Sequence, residues 1–245
     1  MIMTVFSRRT AFAAVSVLLL VACNKPAATG TGGGQTAAIA AGEHVKGSDA
    51  APVTLIEYAS PTCPACKYFH DSILPDLEEN YVATGKVKFV FREYPVHGDV
   101  DVAAYVLALC SGDDNFFATL DDLFANQSGI VDAARSGVLK ATLQTIGKRH
   151  GIETEAQFDA CMENRAYREV LADKYQVATD KWNVNSTPTF IINGEEFTFE
   201  GDLRSYDGFA KYIDGLIGET PAAQEAAPAE ETPAADAPAT ETTDQ

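Results

Sequence analysis

Cys63-Pro64-Ala65-Cys66 places two thiols two residues apart, between the apolar run of residues 53–58 and a stretch with helical spacing. Thiols so spaced at a strand-to-helix junction suit disulfide exchange. At a helix N-terminus Cys63 would meet unpaired N–H groups and the positive end of the helix dipole. Both favour the thiolate, lowering the pKa below the free value of about 8.5 and making Cys63 the better nucleophile and leaving group. Cys66, one turn further in, is close enough to bridge and is shielded from solvent. Pro64 fits the first helical turn, where no N–H is needed, and Ala65 adds no charge. Zinc is the competing chemistry: Cys63, Cys66 and His70 supply three ligands, with His44, His97 or His150 as a fourth. There is no second C-x-x-C, so redox use is expected and no metal. A purely structural role is disfavoured, because closing so short a loop gains little.

The flanking elements must position this pair. Residues 53–58 predict a buried strand, with Pro52 before it and Pro61 after it. Glu57 is the anomaly in that run, since a carboxylate is costly to bury unless it is paired or functional. From Cys66 onward, Phe69, Ile73, Leu77 and Tyr81 trace a helix, with Gly85 as a stop and Pro75 as a kink. Val87, Phe89 and Phe91 give a second strand that ends by Pro95. A strand-helix-strand unit in one sheet implies parallel strands and a right-handed crossover.

Residues 99–176 read as a helical insertion. Asp101 is placed to cap a helix carrying Val102, Tyr105, Val106 and Leu109. Further helical faces follow at Phe116–Phe124 and Leu139–Ile146, and Thr154 with Gln157 forms a capping-box pattern before Phe158. Tyr167, Leu171, Tyr175, Ala178 and Trp182 trace a long last helix. Cys110 and Cys161 each fall on an apolar face. They read either as buried thiols or, in an oxidising compartment, as a structural disulfide, which is the expectation adopted. His97 and His150 receive no role. Downstream, Asn193-Gly194 between two apolar runs signals a hairpin, and residues 206–217 an amphipathic closing helix. Ser186-Thr187-Pro188 sits just ahead of the hairpin; Pro188 could be cis, or trans and simply opening the strand.

Composition bounds the setting. The net charge of -17 argues against nucleic acid as a partner. Arg8-Arg9 followed by an uncharged apolar stretch reads as a secretory signal over residues 1–22, too short for an ordinary membrane span. Ala22-Cys23 at its end resembles a bacterial lipoprotein box, which would lipidate Cys23; an ordinary cleaved signal is the alternative. Residues 23–42 read as a flexible tether and residues 219–245 as a disordered acidic tail. The expected location is the periplasm or cell envelope, with a lipid anchor in the membrane.

Taken together, Ile56-Glu57-Tyr58, Cys63-Pro64-Ala65-Cys66 and Ser186-Thr187-Pro188-Thr189-Phe190-Ile191-Ile192-Asn193-Gly194 resemble the DsbA-like thiol:disulfide oxidoreductases. The resemblance implies an α/β thioredoxin fold from residues 43–98 and 177–218, interrupted by the helical insertion. It implies Cys63 as the solvent-facing attacking thiol, Cys66 as the resolving thiol and Glu57 as a buried acid aiding proton transfer at Cys66. Pro188 would be cis, and the backbone at Thr187 would pair with an extended substrate peptide. No cofactor beyond the cysteine pair is implied. The implied partners are unfolded or partly folded exported proteins and a membrane redox partner, and the implied state is a monomer. Ala65 departs from well-known oxidases of the family, which carry His there, and Thr187-Pro188 also looks like isomerases and reductases. The reading is therefore oxidation of exported dithiols, with a reductase or isomerase as the alternative and a non-catalytic binding lipoprotein as a third.

Overall fold

The computed structural model describes residues 42–198 and 200–219. The expected leader, Cys23 and nearly all of the tether lie outside the described residues, as does the tail beyond residue 219.

Five strands form one sheet in the order β1-β3-β2-β4-β5. The centre is β2 (Val53–Ala59), paired parallel with β3 (Val87–Glu93) and antiparallel with β4 (Thr189–Ile192). A short β1 (His44–Lys46) closes one edge against β3, and β5 (Glu195–Phe197) closes the other. Sequence pattern had not indicated β1, since three residues are too few to show a period.

Both faces of the sheet are covered, which explains why β2 and β3 read as nearly continuous apolar runs. Alternation sends Leu55, Phe89, Phe91, Phe190 and Ile192 into one core, and Ile56, Tyr58, Val90 and Ile191 into the other. Glu57 shares the parity of Leu55 and therefore faces the first core, where the cysteines lie. At the β4–β5 turn Asn193 and Gly194 have φ of 51° and 89°, the pair of positive values a two-residue hairpin needs. The Asn193 side chain also accepts a 2.8 Å bond from Thr54 N–H, tying the turn to β2.

After β2 the chain enters α1 (Pro64–Ser72), which stops where Ile73 leaves helical geometry. It resumes as α2 (Leu74–Leu77) and a π-helical turn (Glu78–Val82). Pro75 lacks the N–H that would continue α1, so the interruption falls just ahead of it. The insertion holds α3 (Asp99–Cys110), α4 (Phe116–Ala125), α5 (Gln127–Arg135), α6 (Leu139–Arg149), α7 (Glu155–Met162) and α8 (Arg165–Trp182). Thr154 and Gln157 do form a capping box on α7. The expected boundary at residue 176 falls inside α8, because this helix serves both parts: Leu171 joins the larger core, while Ala178 packs on the opposite sheet face. Lys174 of α8 reaches Glu93 at 2.6 Å, and His44 reaches the same buried carboxylate at 3.1 Å. The closing helix α9 (Tyr206–Glu219) packs Phe209 and Ile213 into the larger core. Cys110 and Cys161 are joined as a disulfide between α3 and α7, with Cα atoms 5.9 Å apart. Among the described residues no helix is long and apolar enough to cross a membrane.

Candidate active site

Cys63 occupies the N-cap of α1, and its sulfur accepts from Cys66 N–H at 3.4 Å. Opposite it, the Thr187-Pro188 peptide is cis, and Cys63 Sγ lies 3.3 Å from the Thr187 carbonyl oxygen. The chain thus brings residues 124 positions apart into contact at the end of β4. Both Cys63 and Cys66 are free thiols here. Cys63 is 6 % exposed and Cys66 is wholly buried, so the attacking sulfur is less open than the solvent-facing position implied for it.

The two thiols are strongly unequal. A hydrogen bond from the Cys66 thiol, then the Thr187 side chain and the Cys66 and Ala65 N–H groups, outweigh burial and lower Cys63 from 9.0 to about 6. Burial pushes Cys66 well above the ordinary thiol range, and its bond to Cys63 and the charge of Glu57 push the same way. Near neutrality the site therefore holds a Cys63 thiolate and a Cys66 thiol. That asymmetry defines an attacking and leaving sulfur at the surface and a proton-bearing sulfur beneath it.

Glu57 is completely buried, and one of its oxygens is bonded to His70 Nε2 at 2.9 Å. His70 is thus turned to Glu57, away from the role of third zinc ligand. Among the described residues no three His, Cys, Asp or Glu side chains are grouped to hold a metal ion.

The loop leading into Cys63 is held by residues that sequence reasoning did not place at the site. Asp101 is not the N-cap of α3, a position taken by Gly98. It is fully buried in the first turn and points back to the site. It accepts from Ser60 Oγ (2.8 Å), Thr62 Oγ1 (2.6 Å), and the N–H groups of Val96 (2.9 Å) and His97 (2.8 Å). His97 Nδ1 lies 2.7 Å from Thr62 Oγ1. Gln127, at the start of α5, donates to the carbonyls of Pro61 (2.7 Å) and Cys63 (2.9 Å). The N-cap of the active-site helix is therefore clamped from the helical insertion. The available signal was the placement of Asp101 and Gln127 beside apolar helix faces, where a lone polar side chain needs a partner. His150, given no role from sequence, bonds Asp122 of α4 at 2.9 Å.

A thioredoxin family model matches residues 40–215. A Rickettsia bellii protein named "Putative protein-disulfide oxidoreductase" is 31% identical over 176 residues, covering 72% of this chain and 65% of that one. Disulfide bond formation protein D of Bacillus subtilis is 29% identical over 161 residues, 62% of this chain and 68% of the relative. Among solved structures, Wolbachia pipientis alpha-DsbA1 superposes with a TM-score of 0.63 at 24% identity, over 74% of this chain and 93% of the other, a likeness of fold. The chain spans 52% to 65% of the length of the Rickettsia relatives.

Proposed function

The chain belongs to the thioredoxin family in its DsbA-like form, and on that premise we propose that it is a thiol:disulfide oxidoreductase that oxidises cysteine pairs in exported proteins of the cell envelope. The observation that carries this reading is the pairing of a Cys63 thiol lowered to about 6 with a buried Cys66 held in its thiol form. In the oxidised enzyme a substrate thiolate attacks Cys63 Sγ, the Cys63–Cys66 bond breaks, and the electron pair leaves on Cys66, which takes up a proton. A second substrate thiolate then attacks the substrate sulfur of the mixed disulfide. Cys63 departs as a thiolate, the substrate disulfide forms, and the enzyme holds two more electrons. A membrane redox partner would remove those electrons. Thr187 presents its carbonyl beside Cys63, where an extended peptide could add as a strand. Cys23 would carry a lipid that holds this monomeric domain at the membrane, reached through the tether.

The test is oxidation of a reduced, unfolded substrate by wild type and by Cys63→Ser, together with a redox titration against glutathione. Loss of turnover in Cys63→Ser is expected, and retained turnover refutes the reading. A potential near about -120 mV marks a strong oxidant and one near about -270 mV a reductant. The reductase or isomerase alternative draws support from Cys63 itself, since a thiol at about 6 lies closer to thioredoxin's value of about 7 than to DsbA's of about 3.5.

A further inference from the structure

His70 and Glu57 form a buried pair whose outer atoms are both unpaired. The His70 side chain is 4 % exposed and that of Glu57 0 %. One Glu57 oxygen and His70 Nε2 bond each other, while Glu57 Oε1 and His70 Nδ1 have no hydrogen-bonding partner in the protein. Two orphaned polar atoms in one buried pair are costly if the pair only fills space. The surroundings do not relieve them: the imidazole stacks on Phe124 at 4.1 Å and meets Phe69 and Phe91 edge-on.

Each end of the pair nevertheless meets something that exchanges protons. On the inner side Glu57 lies near enough to Cys66 for its charge to act on that thiol. On the outer side His70 lines a cavity of about 170 Å³ that also takes in Lys46, Asp71, Glu78 and Asp121. Lys46 is paired with Glu78 at 2.6 Å and Asp71 with Lys67 at 2.8 Å. Asp121 of α4 lies within electrostatic reach of His70.

We propose that His70 carries the Cys66 proton between Glu57 and this cavity, giving the buried sulfur a path to solvent on the face of α1 away from the substrate. The proposal rests on the reading of Cys63–Cys66 as the redox pair. When the Cys63–Cys66 bond is broken by a substrate thiolate, the Cys66 thiolate takes a proton passed on by the Glu57 carboxylate. That proton comes from His70 Nε2–H, and His70 takes one at Nδ1 from the cavity. When Cys66 attacks to re-form the bond, each transfer reverses: thiol to Glu57, Glu57 to Nε2, and Nδ1–H to the cavity. No electrons pass through the pair. His70 acts through Glu57, to which it is hydrogen-bonded, and is a positioning residue.

A relay speeds a reaction in both directions and leaves its equilibrium in place. His70→Gln keeps a donor toward Glu57 and removes the second proton site. It is expected to slow both single-turnover reduction of the enzyme by a dithiol peptide and its reoxidation by at least about tenfold. The solvent hydrogen isotope effect should rise, and the potential against glutathione should stay at the wild-type value. Unchanged rates, or a rate change in one direction matched by a moved potential, overturn the proposal. If His70→Gln does not fold, nitrogen NMR of the wild-type imidazole decides. Ring N–H exchange with solvent at least as fast as turnover supports the relay, and slower exchange overturns it. A wild-type enzyme that does not exchange with the peptide at all sinks the oxidoreductase reading, and the relay with it. An active wild type with an unaffected His70→Gln sinks the relay alone.

Discussion

The pH dependence of the redox potential should bend near pH 6, because the reduced enzyme changes there from binding two protons to binding one. Cys63 is lowered from 9.0 to about 6 and Cys66 is raised. Below pH 6 both sulfurs are protonated after reduction, so two protons accompany two electrons and the potential falls by about 59 mV per pH unit. Between about 6 and 9 only Cys66 takes a proton, and the slope halves to about 30 mV per pH unit. The same arithmetic gives the stabilisation of the reduced fold. It is absent below pH 6, where an ordinary thiol would be equally protonated. It is about 1 kcal/mol at pH 7 and reaches about 4 kcal/mol above pH 9, where an unfolded thiol also ionises. As pH falls from 9 through 6 that stabilisation is lost. Converted to potential, that one pH unit of stabilisation is about 30 mV in the oxidising direction at pH 7.

Equilibration with glutathione buffers from pH 5 to 9 measures this directly, with the Cys63–Cys66 state read by alkylation and mass. Absorbance of the thiolate at 240 nm gives the Cys63 titration independently. A straight line of about 59 mV per pH unit through pH 8 would mean that Cys63 is not a thiolate at neutrality. The asymmetry on which the mechanism rests would then be wrong.

Three further outcomes follow from contacts around the site. Asp101→Ala leaves two hydroxyls and two N–H groups without their buried acceptor and should cost about 3 kcal/mol or more in urea denaturation, with Asp101→Asn costing less. Gln127→Leu strips the donor from the Pro61 and Cys63 carbonyls; a loss of about 2 kcal/mol is expected by the same assay, and a loss below about 0.5 kcal/mol would show that the clamp is dispensable. The Cys110→Ala, Cys161→Ala double variant opens a loop with a sequence separation of 51 and should lose about 4 kcal/mol of stability in the loop-entropy account, with wild type and variant showing the same number of titratable thiols in denaturant without reductant.

Much of the framework was legible because it rests on local chemistry. The N-cap cysteine, Pro64 in the first turn, the Asn193-Gly194 hairpin and the Thr154–Gln157 capping box are short-range patterns, and each takes the geometry its residues favour. Glu57 was visible as a charge in an apolar run, and strand parity is enough to turn it toward α1. Its partner was harder to recognise. His70 follows Cys66 by one helical turn, so both share a face of α1, but that spacing equally suits a metal ligand. Asp101 and Gln127 were not legible as site residues. Their contacts to the loop leading into Cys63 join positions 39 to 66 apart, and no periodicity reports which loop a helix N-terminus will meet. The full length of α8 was legible, but its double duty was not. That required knowing that the sheet has a second covered face for Ala178 and Tyr94 to share.

The direction of electron flow turns on how deeply the Cys63 thiolate is stabilised, and the site bounds that from above. The stabilising donors are the Cys66 thiol, the Thr187 side chain and two N–H groups of the first turn. Position 65 supplies an alanine, which adds backbone and no side-chain charge. A thiolate at about 6 stabilises the reduced state at pH 7 by about 1 kcal/mol, against about 5 kcal/mol for DsbA's thiolate at about 3.5. The difference, about two and a half pH units at about 30 mV each, is about 70 mV, which lowers the expected potential from DsbA's value of about -120 mV to about -190 mV. That is still more oxidising than thioredoxin, and it sits close to disulfide isomerase at about -180 mV. Ala65→His would place a protonatable ring beside the thiolate. It should raise the potential by up to those 70 mV and lower the Cys63 titration midpoint in step. If the potential rose without the midpoint falling, the thiolate would not be what sets the oxidising strength of this site, and the oxidised state's own strain would have to be the cause.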